Sequence, residues 1–248
     1  MPKRGIAGLS PYETLVQRLT SLDSSVTLDI LTEIAGYPIY LASLNTTYDY
    51  PIIWLNAGTH GDEPATVETA MRILEQPHRC DGIRVLVTPC LNGQGYDAGQ
   101  RENAQDVDIN WAFRRDDIPE IMLVKEMIER GPYAAIIDLH EDWESPGYYL
   151  YEQVRARGSL GGRITDRVRS VCPVNDSPVI EGEKADRGVI HPNMAVARRN
   201  NGDGVPGEVF RRATDHQITA ESPAGLSMEA RVNAHLTAID ILVETYRA

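Results

Sequence analysis

The stretch Asn56-Ala57-Gly58-Thr59-His60-Gly61-Asp62-Glu63-Pro64 decides the predicted fold of this chain. An apolar run of strand type, residues 51–55, precedes it, and a segment with helical spacing of apolar residues, 64–74, follows it. His60 and Glu63 therefore lie where a buried strand turns into a helix, the place at which open α/β sheets bind their ligands. Imidazole and carboxylate are natural zinc ligands, and catalytic zinc takes three protein ligands plus a water. This stretch supplies two of the three.

The composition excludes several classes of protein. The 248 residues carry a formal net charge of -12 without a long basic run, which argues against nucleic-acid binding. The chain is long enough for one sizeable core and has no linker composition, so we expect a single domain over residues 1–248. Cys80, Cys90 and Cys172 lack a C-x-x-C spacing, and neither a signal peptide nor a membrane span is recognisable. We expect a cytoplasmic protein that does not bind membranes.

The order of the predicted elements indicates an α/β fold. A capping-box spacing at Ser10 predicts a helix over 11–22, and an antiparallel pair over 26–34 and 37–44 leads into the core, so that residues 10–45 form an N-terminal helix and hairpin. Residues 91–118 and 181–208 are predicted to be loops, the second covering the crevice. Strands alternating with helices imply a mostly parallel sheet covered on both faces. The further strands are expected at 83–87, 133–139, 148–151 and 216–220, and the further helices at 64–75, 119–130, 160–171 and 226–246.

Polar residues follow the ends of several predicted strands and should meet at one edge of the sheet. They are His60 with Glu63, Asn92, His140 and Glu221. His140 supplies the missing third zinc ligand, and Glu221 is left over as a carboxylate close to the metal. Because zinc lowers the pKa of bound water to about 7 and a base must still take its proton, we assign Glu221 as the general base.

An attacked carbonyl oxygen needs a cation beside the zinc, and Arg101, in the long polar segment, is the best-placed candidate. Removal of such a donor typically costs about 3 kcal/mol of transition-state stabilisation. Simpler interpretations exist for each residue. His60 or His140 alone could be a hydrogen-bonded interior histidine, and Glu221 could be a carboxylate at the N-terminus of the last helix. Asp138 is a candidate partner for a ligand histidine, and the sequence leaves that role open.

Other polar residues near the predicted site have alternative interpretations. Asp62, Glu141, Asp142 and Glu144 could form a second metal site, although exposed acidic turns are the simpler interpretation in an acidic protein. We interpret His191 and His216 as surface or structural residues.

Four segments, in chain order, carry a resemblance to a known family: His60-Gly61-Asp62-Glu63; Arg101 with Asp108-Ile109-Asn110-Trp111-Ala112-Phe113; Asp138-Leu139-His140; and Thr219-Ala220-Glu221-Ser222-Pro223. They resemble the zinc carboxypeptidase family, including its succinylglutamate desuccinylase and aspartoacylase branch. The resemblance implies a three-layer α/β/α fold with a mixed, mostly parallel central sheet, and one zinc ion held by His60, Glu63 and His140. It also implies that Glu221 is the base, that Arg101 polarises the scissile carbonyl, and that Asn110 helps to hold the terminal carboxylate of the substrate.

Two departures from the family pattern concern the substrate. The family has an arginine after the counterpart of Asn110, whereas this chain has Trp111, and Arg114 and Arg115 are the nearby candidates to replace it. The substrate-capping tyrosine of the digestive enzymes has no counterpart, because residues 152–245 contain no tyrosine. Both departures affect the substrate and leave the zinc chemistry untouched.

We therefore expect a zinc-dependent hydrolase of amide bonds, and first a carboxypeptidase-like metallopeptidase that acts on a small peptide. An N-acyl amino acid deacylase, which cuts N-acyl amino acids instead of peptides, is the alternative within the superfamily. A binding module that keeps the zinc site without turnover is the third hypothesis, since Trp111 marks a changed family position. Retention of both Arg101 and Glu221 speaks against this third hypothesis.

Overall fold

The computed structural model describes residues 8–155, 158–192 and 204–248 of the chain. Helices are interspersed with strands through this part of the chain, as the sequence predicts. In chain order they are α1 (Pro11–Thr20), β1 (Val26–Ile34), β2 (Tyr37–Leu44), β3 (Ile52–Asn56), α2 (Pro64–Glu75), β4 (Arg84–Thr88), α3 (Gly93–Ala98), α4 (Pro119–Glu129), β5 (Ala135–Asp142), β6 (Tyr149–Val154), α5 (Gly161–Val168), β7 (Val179–Ile180), β8 (Glu183–Asp186), β9 (Val189–Ile190), α6 (Val205–Ala213), β10 (His216–Pro223) and α7 (Met228–Tyr246). Within the described ranges, no helix is long and apolar enough to cross a membrane.

The strands form one mixed sheet in the order β1-β2-β4-β3-β5-β10-β6-β9-β8-β7. The central strands β4, β3, β5 and β10 pair in parallel, and their carboxyl ends therefore meet at one edge. The expected mixed α/β sheet is confirmed, but its parallel share is smaller than expected: four of the nine strand pairs are parallel and five are antiparallel. Parallel pairing is confined to the centre and to β6 with β9.

Tight hairpins explain the antiparallel margins of the sheet. The turns Ala35-Gly36, Glu181-Gly182 and Arg187-Gly188 have positive φ at both central residues, as a type I′ hairpin requires. The first of these turns was expected from the sequence, whereas the other two lie in a stretch that was expected to be a loop. Two-residue turns can join only antiparallel strands, so β7, β8 and β9 extend the sheet without helices between them.

Helices cover both faces of the sheet, which confirms the three-layer α/β/α architecture. One core lies between the sheet and α1, α2, α5 and α7, and includes Ile53 and Leu55 of β3. The opposite core lies under α4 and α6 and includes Trp54, the residue between them. This alternation along β3 is what a strand buried on both faces requires. The three cysteines are buried and free, in agreement with a core that is held by packing.

Two regions differ from the sequence-based prediction. Residues 91–118, expected to be a loop, contain α3 and a 3₁₀ turn at Ile109–Trp111. Helix α3 has only six residues, too few to show a hydrophobic period, but Asn92 caps it by accepting a hydrogen bond from the backbone N–H of Gly95. Helix α6 was also not predicted, because Pro206 in its first turn resembles a loop signal. The rest of the expected covering loop, residues 193–203, lies outside the described residues.

His216, predicted to be surface or structural, is a buried structural residue. Its Nε2 lies 2.8 Å from Oε1 of Glu152, and its Nδ1 lies 2.6 Å from the hydroxyl of Tyr246. Glu152 also accepts hydrogen bonds from the hydroxyl of Ser159 and from the backbone N–H of Leu160. Burial alone would raise the pKa of Glu152, but these donors outweigh it and hold the pKa at about 2. This network joins β6 and β10 to the ends of α5 and α7.

We predict that Glu152→Gln destabilises the protein most at neutral pH. The pKa of Glu152 is lower in the folded chain than its ordinary value of 4.5, so its contribution is full well above pH 4.5 and is lost as the pH falls toward 2. The free energy of unfolding in urea should therefore drop by about 3 kcal/mol at pH 7. At pH 3 the difference in free energy of unfolding between wild type and variant should be about half of the difference at pH 7.

The exposed Glu33→Gln is the control for this measurement and should leave the free energy of unfolding unchanged at both pH values. A gap between wild type and Glu152→Gln that is the same at pH 7 and pH 3 would contradict the role given to the ionised carboxylate.

Candidate metal centre

A tight turn after β3 brings His60 and Glu63 to the edge of the sheet. Helix α2 begins at Pro64, with Glu63 at its N-cap position. The backbone of α3 passes so close here that a Cβ on Gly61 would lie 1.9 Å from the carbonyl carbon of Gly95. Only glycine can occupy this position. His60 and Glu63 are each 2% exposed, so the turn holds both side chains in a buried, fixed place.

Two adjacent parallel strands supply the other predicted site residues. His140 in β5 lies directly opposite Glu221 in β10. Strand β5 was expected to end at Leu139, but it continues to Asp142, so that Asp138 and His140 lie on the same face of the strand. Oδ2 of Asp138 lies 3.3 Å from Nε2 of His140. Asp138 therefore lies within ion-pair distance of the histidine but without the geometry of a hydrogen bond, and its role as a partner of a ligand histidine stays a prediction.

The side chains of His60, Glu63 and His140 meet at one point. The Nδ1 atoms of the two histidines lie 3.1 Å apart. Oε1 of Glu63 lies 2.7 Å from Nδ1 of His60, and its Oε2 lies 3.1 Å from Nδ1 of His140. Ligand atoms of all three residues lie within 4.8 Å of one another. The structure thus brings together the three residues that the sequence proposed as metal ligands.

These three groups fit a divalent metal ion. Two imidazole nitrogens and one carboxylate form a donor set of catalytic zinc sites. Oε2 of Glu63 faces Nδ1 of His140 without the geometry of a hydrogen bond. Burial opposes ionisation of Glu63, but the charges of His140 and His60 hold its pKa well below the usual value. The buried carboxylate is thus stabilised by positive charge, which a metal ion would supply in place of the protonated imidazoles.

Asp108, to which the sequence analysis gave no role, orients His60. Its Oδ1 lies 3.0 Å from Nε2 of His60 and also accepts a hydrogen bond from the backbone N–H of Asn110. Its Oδ2 accepts a hydrogen bond from Arg101 at 3.0 Å. Burial raises the pKa of Asp108, but His60 and Arg101 outweigh it and lower the pKa to about 2. A carboxylate on Nε2 turns Nδ1 toward the metal position. His60 lies 48 residues before Asp108, and no pattern in the sequence predicts a contact between them.

Glu221 lies beside the three metal-ligand candidates and lines the same cleft. Burial raises the pKa of Glu221 well above that of a free carboxyl, Glu63 and Asp142 act in the same direction, and His140 and His60 oppose them. Its environment therefore differs from that of Glu63, whose pKa is lowered. A carboxyl whose pKa is moved toward neutral pH is suited to accepting and returning a proton.

A cleft of about 590 Å³ opens above these residues. Arg101 lies at its rim with Nη1 3.6 Å from Oε1 of Glu63. Asn110 and Trp111 reach the cleft from the 3₁₀ turn, and the indole of Trp111 packs against the backbone of Gly204 at the start of α6. Further lining residues are His60, His140, Glu141, Asp142, Trp143, Glu144, Tyr149, Tyr151, Gln153, Glu181, Glu183, Pro192, Pro206, Gly207, Thr219 and Glu221.

Arg114 and Arg115 are not among the described residues that line this cleft. Both are exposed, and Arg115 forms an ion pair with Asp117 at 2.6 Å. Their proposed part in substrate binding stays a prediction. Trp111 itself is 44% exposed and presents its ring to the cleft.

Other polar residues that the sequence analysis considered form hydrogen bonds that stabilise the fold or lie on the surface. Asn92 lies behind the cleft as the cap of α3, and its amide donates to the backbone carbonyls of Arg101 and Glu102. Glu141 accepts from Arg231 and from the backbone N–H of Ala65. In the part of the chain that the structure covers, Asp62, Glu141, Asp142 and Glu144 do not form a second group of metal-ligand geometry, and His191 is exposed.

No protein-family model and no curated protein sequence matches this chain. Solved structures do match it. A presumed metallopeptidase from Shewanella amazonensis has a TM-score of 0.80 and 19% identity, and the alignment covers 95% of this chain and 92% of the other. A metallo-carboxypeptidase from Burkholderia cenocepacia has a TM-score of 0.68 and 17% identity over 95% and 69% of the two chains.

A metallo-carboxypeptidase from Pseudomonas aeruginosa, in complex with (2-guanidinoethylmercapto)succinic acid, has a TM-score of 0.64 and 18% identity over 95% and 69% of the two chains. At these identities the likeness concerns the fold. The chain described here therefore has the fold of structures that are named metallopeptidases and metallo-carboxypeptidases.

Proposed function

We propose that this protein is a zinc-dependent hydrolase of amide bonds, of the carboxypeptidase-like metallopeptidase type. One observation carries the proposal: His60, Glu63 and His140 meet at the buried end of a cleft, and Glu221 faces the same cleft without belonging to their group. The fold shared with metallo-carboxypeptidases supports the same reaction class. Three ligands leave a position free for water or substrate, as catalytic zinc requires.

Each remaining polar group has a part in the proposed hydrolysis. A zinc ion held by His60, Glu63 and His140 would act as a Lewis acid and lower the pKa of water to about 7. Glu221 accepts a proton from the water whose oxygen attacks the carbonyl carbon, and donates it to the nitrogen when the carbon–nitrogen bond breaks. Arg101 stabilises the negative charge that develops on the carbonyl oxygen.

The proposed substrate is a small peptide, with an N-acyl amino acid as the alternative. Asn110 supports the peptide, because it lines the cleft and its counterpart in the family that the sequence resembles helps to hold the terminal carboxylate of the substrate. Trp111 departs from the carboxypeptidase pattern, because an indole offers one donor where a guanidinium would offer a bidentate pair. The Pseudomonas aeruginosa neighbour holds a compound of amino-acid size, which suits a cleft of this volume.

We predict that the purified protein binds one zinc ion per chain and that His140→Ala loses most of it. The variant keeps only two ligands, and two are too few to hold catalytic zinc tightly. Zinc content by atomic absorption, after dialysis against metal-free buffer, measures this. Full zinc content in His140→Ala would refute the ligand assignment.

Asp108→Asn provides a graded comparison for the metal measurement. It leaves all three ligands in place but removes the carboxylate on Nε2 of His60. Zinc should still bind at one ion per chain at saturation, with an affinity lowered roughly 10–100-fold. A zinc affinity equal to that of the wild type would mean that Asp108 does not orient the ligand.

We predict that Glu221→Gln abolishes hydrolysis while the zinc content stays at the wild-type level. The amide cannot accept the proton of the attacking water, and general acid–base catalysis typically contributes 10²–10⁴-fold to the rate. Turnover of an amide substrate and zinc content should be measured on the same preparation. Loss of zinc would make Glu221 a ligand, and absence of turnover in the zinc-loaded wild type would favour the non-catalytic binding module.

A free terminal carboxylate on the substrate tests the carboxypeptidase proposal. If Arg114 or Arg115 replaces the family arginine, a peptide should be cleaved much faster than its C-terminal amide, and Arg114→Ala or Arg115→Ala should raise KM. We expect this result because Asn110 is retained. Equal rates on the free and amidated peptides, with unchanged kinetics in both variants, would remove carboxypeptidase from the proposal and leave an amidohydrolase.

A further inference from the structure

Residues 101–108 carry two groups of the candidate site, one at each end. Arg101 lies at the rim of the cleft, and Asp108 contacts His60. The stretch between them is largely exposed, and within residues 101–108 Asn103 alone is buried, with 3% exposure. A segment with few buried apolar contacts opens easily unless hydrogen bonds hold it. The conformation of this segment therefore depends on how Asn103 is held.

The side chain of Asn103 folds this segment into a tight loop. Its Oδ1 accepts hydrogen bonds from the backbone N–H groups of Gln105 and Val107, at 3.0 and 3.1 Å. The backbone N–H of Asn103 donates to the carbonyl oxygen of Val107, and that of Asp106 donates to the carbonyl oxygen of Asn103. Asp106 has a φ of 54°, a left-handed conformation that aspartate tolerates in tight turns. The chain thus returns to Asn103 just before it reaches Asp108.

A carboxylate of α4 anchors this loop to the rest of the protein. Nδ2 of Asn103 donates to Oε2 of Glu120 at 2.9 Å. Glu120 lies in the first turn of α4 and is also 3% exposed, so water does not compete for this hydrogen bond. Both polar atoms of the asparagine amide therefore have partners in a place where an unpaired atom would cost free energy. We call Asn103 with its partners Gln105, Val107 and Glu120 the Asn103 clamp.

The two ends of the loop meet each other and the site. Nε of Arg101 donates to Oδ2 of Asp108 at 3.0 Å, which closes the loop at its base. Oδ1 of Asp108 lies 3.0 Å from Nε2 of His60, and Nη1 of Arg101 lies 3.6 Å from Oε1 of Glu63. A change in the path of the loop would therefore move the guanidinium and the carboxylate together.

We propose that Asn103 is a positioning residue, which through the Asn103 clamp places Arg101 at the substrate carbonyl oxygen and Asp108 on the ring of His60. The part that concerns Arg101 rests on the proposed function, whereas the part that concerns Asp108 rests on the metal centre alone. Asn103 is not among the described residues that line the cleft, so it acts through these two neighbours. Misplacement of a catalytic group by about 1 Å can lower a rate roughly 100-fold.

Asn103→Ala tests the proposal by kinetics and by zinc affinity on the same preparation. The turnover number kcat on an amide substrate should fall roughly 10–100-fold with KM nearly unchanged, because Arg101 acts on charge that develops in the transition state. The zinc affinity should fall about tenfold, because Asp108 no longer holds His60 in place. Unchanged kcat together with unchanged zinc affinity would overturn the proposal. If the wild type showed no turnover, the proposed function would fail alone, and the zinc affinity of the variant would still decide this inference.

Asn45→Ala is the matched control for a merely structural role. Asn45 follows β2, and its amide also holds a loop, by donating to the carbonyl oxygens of Cys80 and Ile83 at 2.8 Å. Like Asn103→Ala it should lower the free energy of unfolding in urea, yet it should keep kcat and the zinc affinity of the wild type. If Asn45→Ala lowered both quantities as much as Asn103→Ala does, loss of stability would explain the effect and the proposal would be overturned.

A reciprocal exchange tests the hydrogen bonds of the Asn103 clamp. In the double variant Asn103→Asp with Glu120→Gln, a carboxylate at position 103 can accept the same backbone N–H groups and a hydrogen bond from the amide at position 120. Its kcat and zinc affinity should stay within about fivefold of the wild type, the effect of roughly one altered hydrogen bond. A double variant as impaired as Asn103→Ala would overturn the proposal. If Asn103→Ala does not fold, Glu120→Ala takes its place, with an expected fall in kcat of about fivefold, and an unchanged kcat and zinc affinity would then overturn it.

Discussion

The parallel pairing of β3, β5 and β10 is the constraint on which the site depends. In parallel strands the side chains at the carboxyl ends lie beside one another, so His140 and Glu221 are neighbours by register. The same pairing places the turn after β3 next to β5, which brings His60 and Glu63 within reach. A slip of one residue in β10 would move Glu221 to the opposite face of the sheet, away from the cleft.

Burial and charge act against each other throughout the site. Burial disfavours the ionised forms of Glu63 and Asp108, yet both have lowered pKa values, because histidines and Arg101 contact them. For Glu221 the balance is the reverse: burial has the largest effect and its pKa rises. Carboxylates that line one cleft thus have pKa values shifted in opposite directions, and this contrast matches the proposed roles of Glu63 as a metal ligand and Glu221 as a base.

Periodicity predicted most helices and central strands, because a buried parallel strand and an amphipathic helix each repeat their apolar residues at a fixed interval. The predicted ends of the central strands also identified His60, His140 and Glu221 as residues that lie close together. The strands at the margins of the sheet were harder to predict from the sequence. Two-residue turns such as Glu181-Gly182 and strands of two residues contain too few residues to show a hydrophobic period. Asp108 was missed because its contact with His60 depends on the folded path of residues 91–118.

The contact between Gly61 and the backbone of α3 couples the turn that carries His60 and Glu63 to the segment that follows α3. Gly95 packs against Gly61, and Asn92 at the start of the same helix donates to the backbone carbonyl of Arg101. Displacement of the turn that carries His60 would therefore displace Arg101 as well. A change in the packing of Gly61 against Gly95 would therefore alter the proposed metal ligands and the proposed position of Arg101 at the substrate oxygen together.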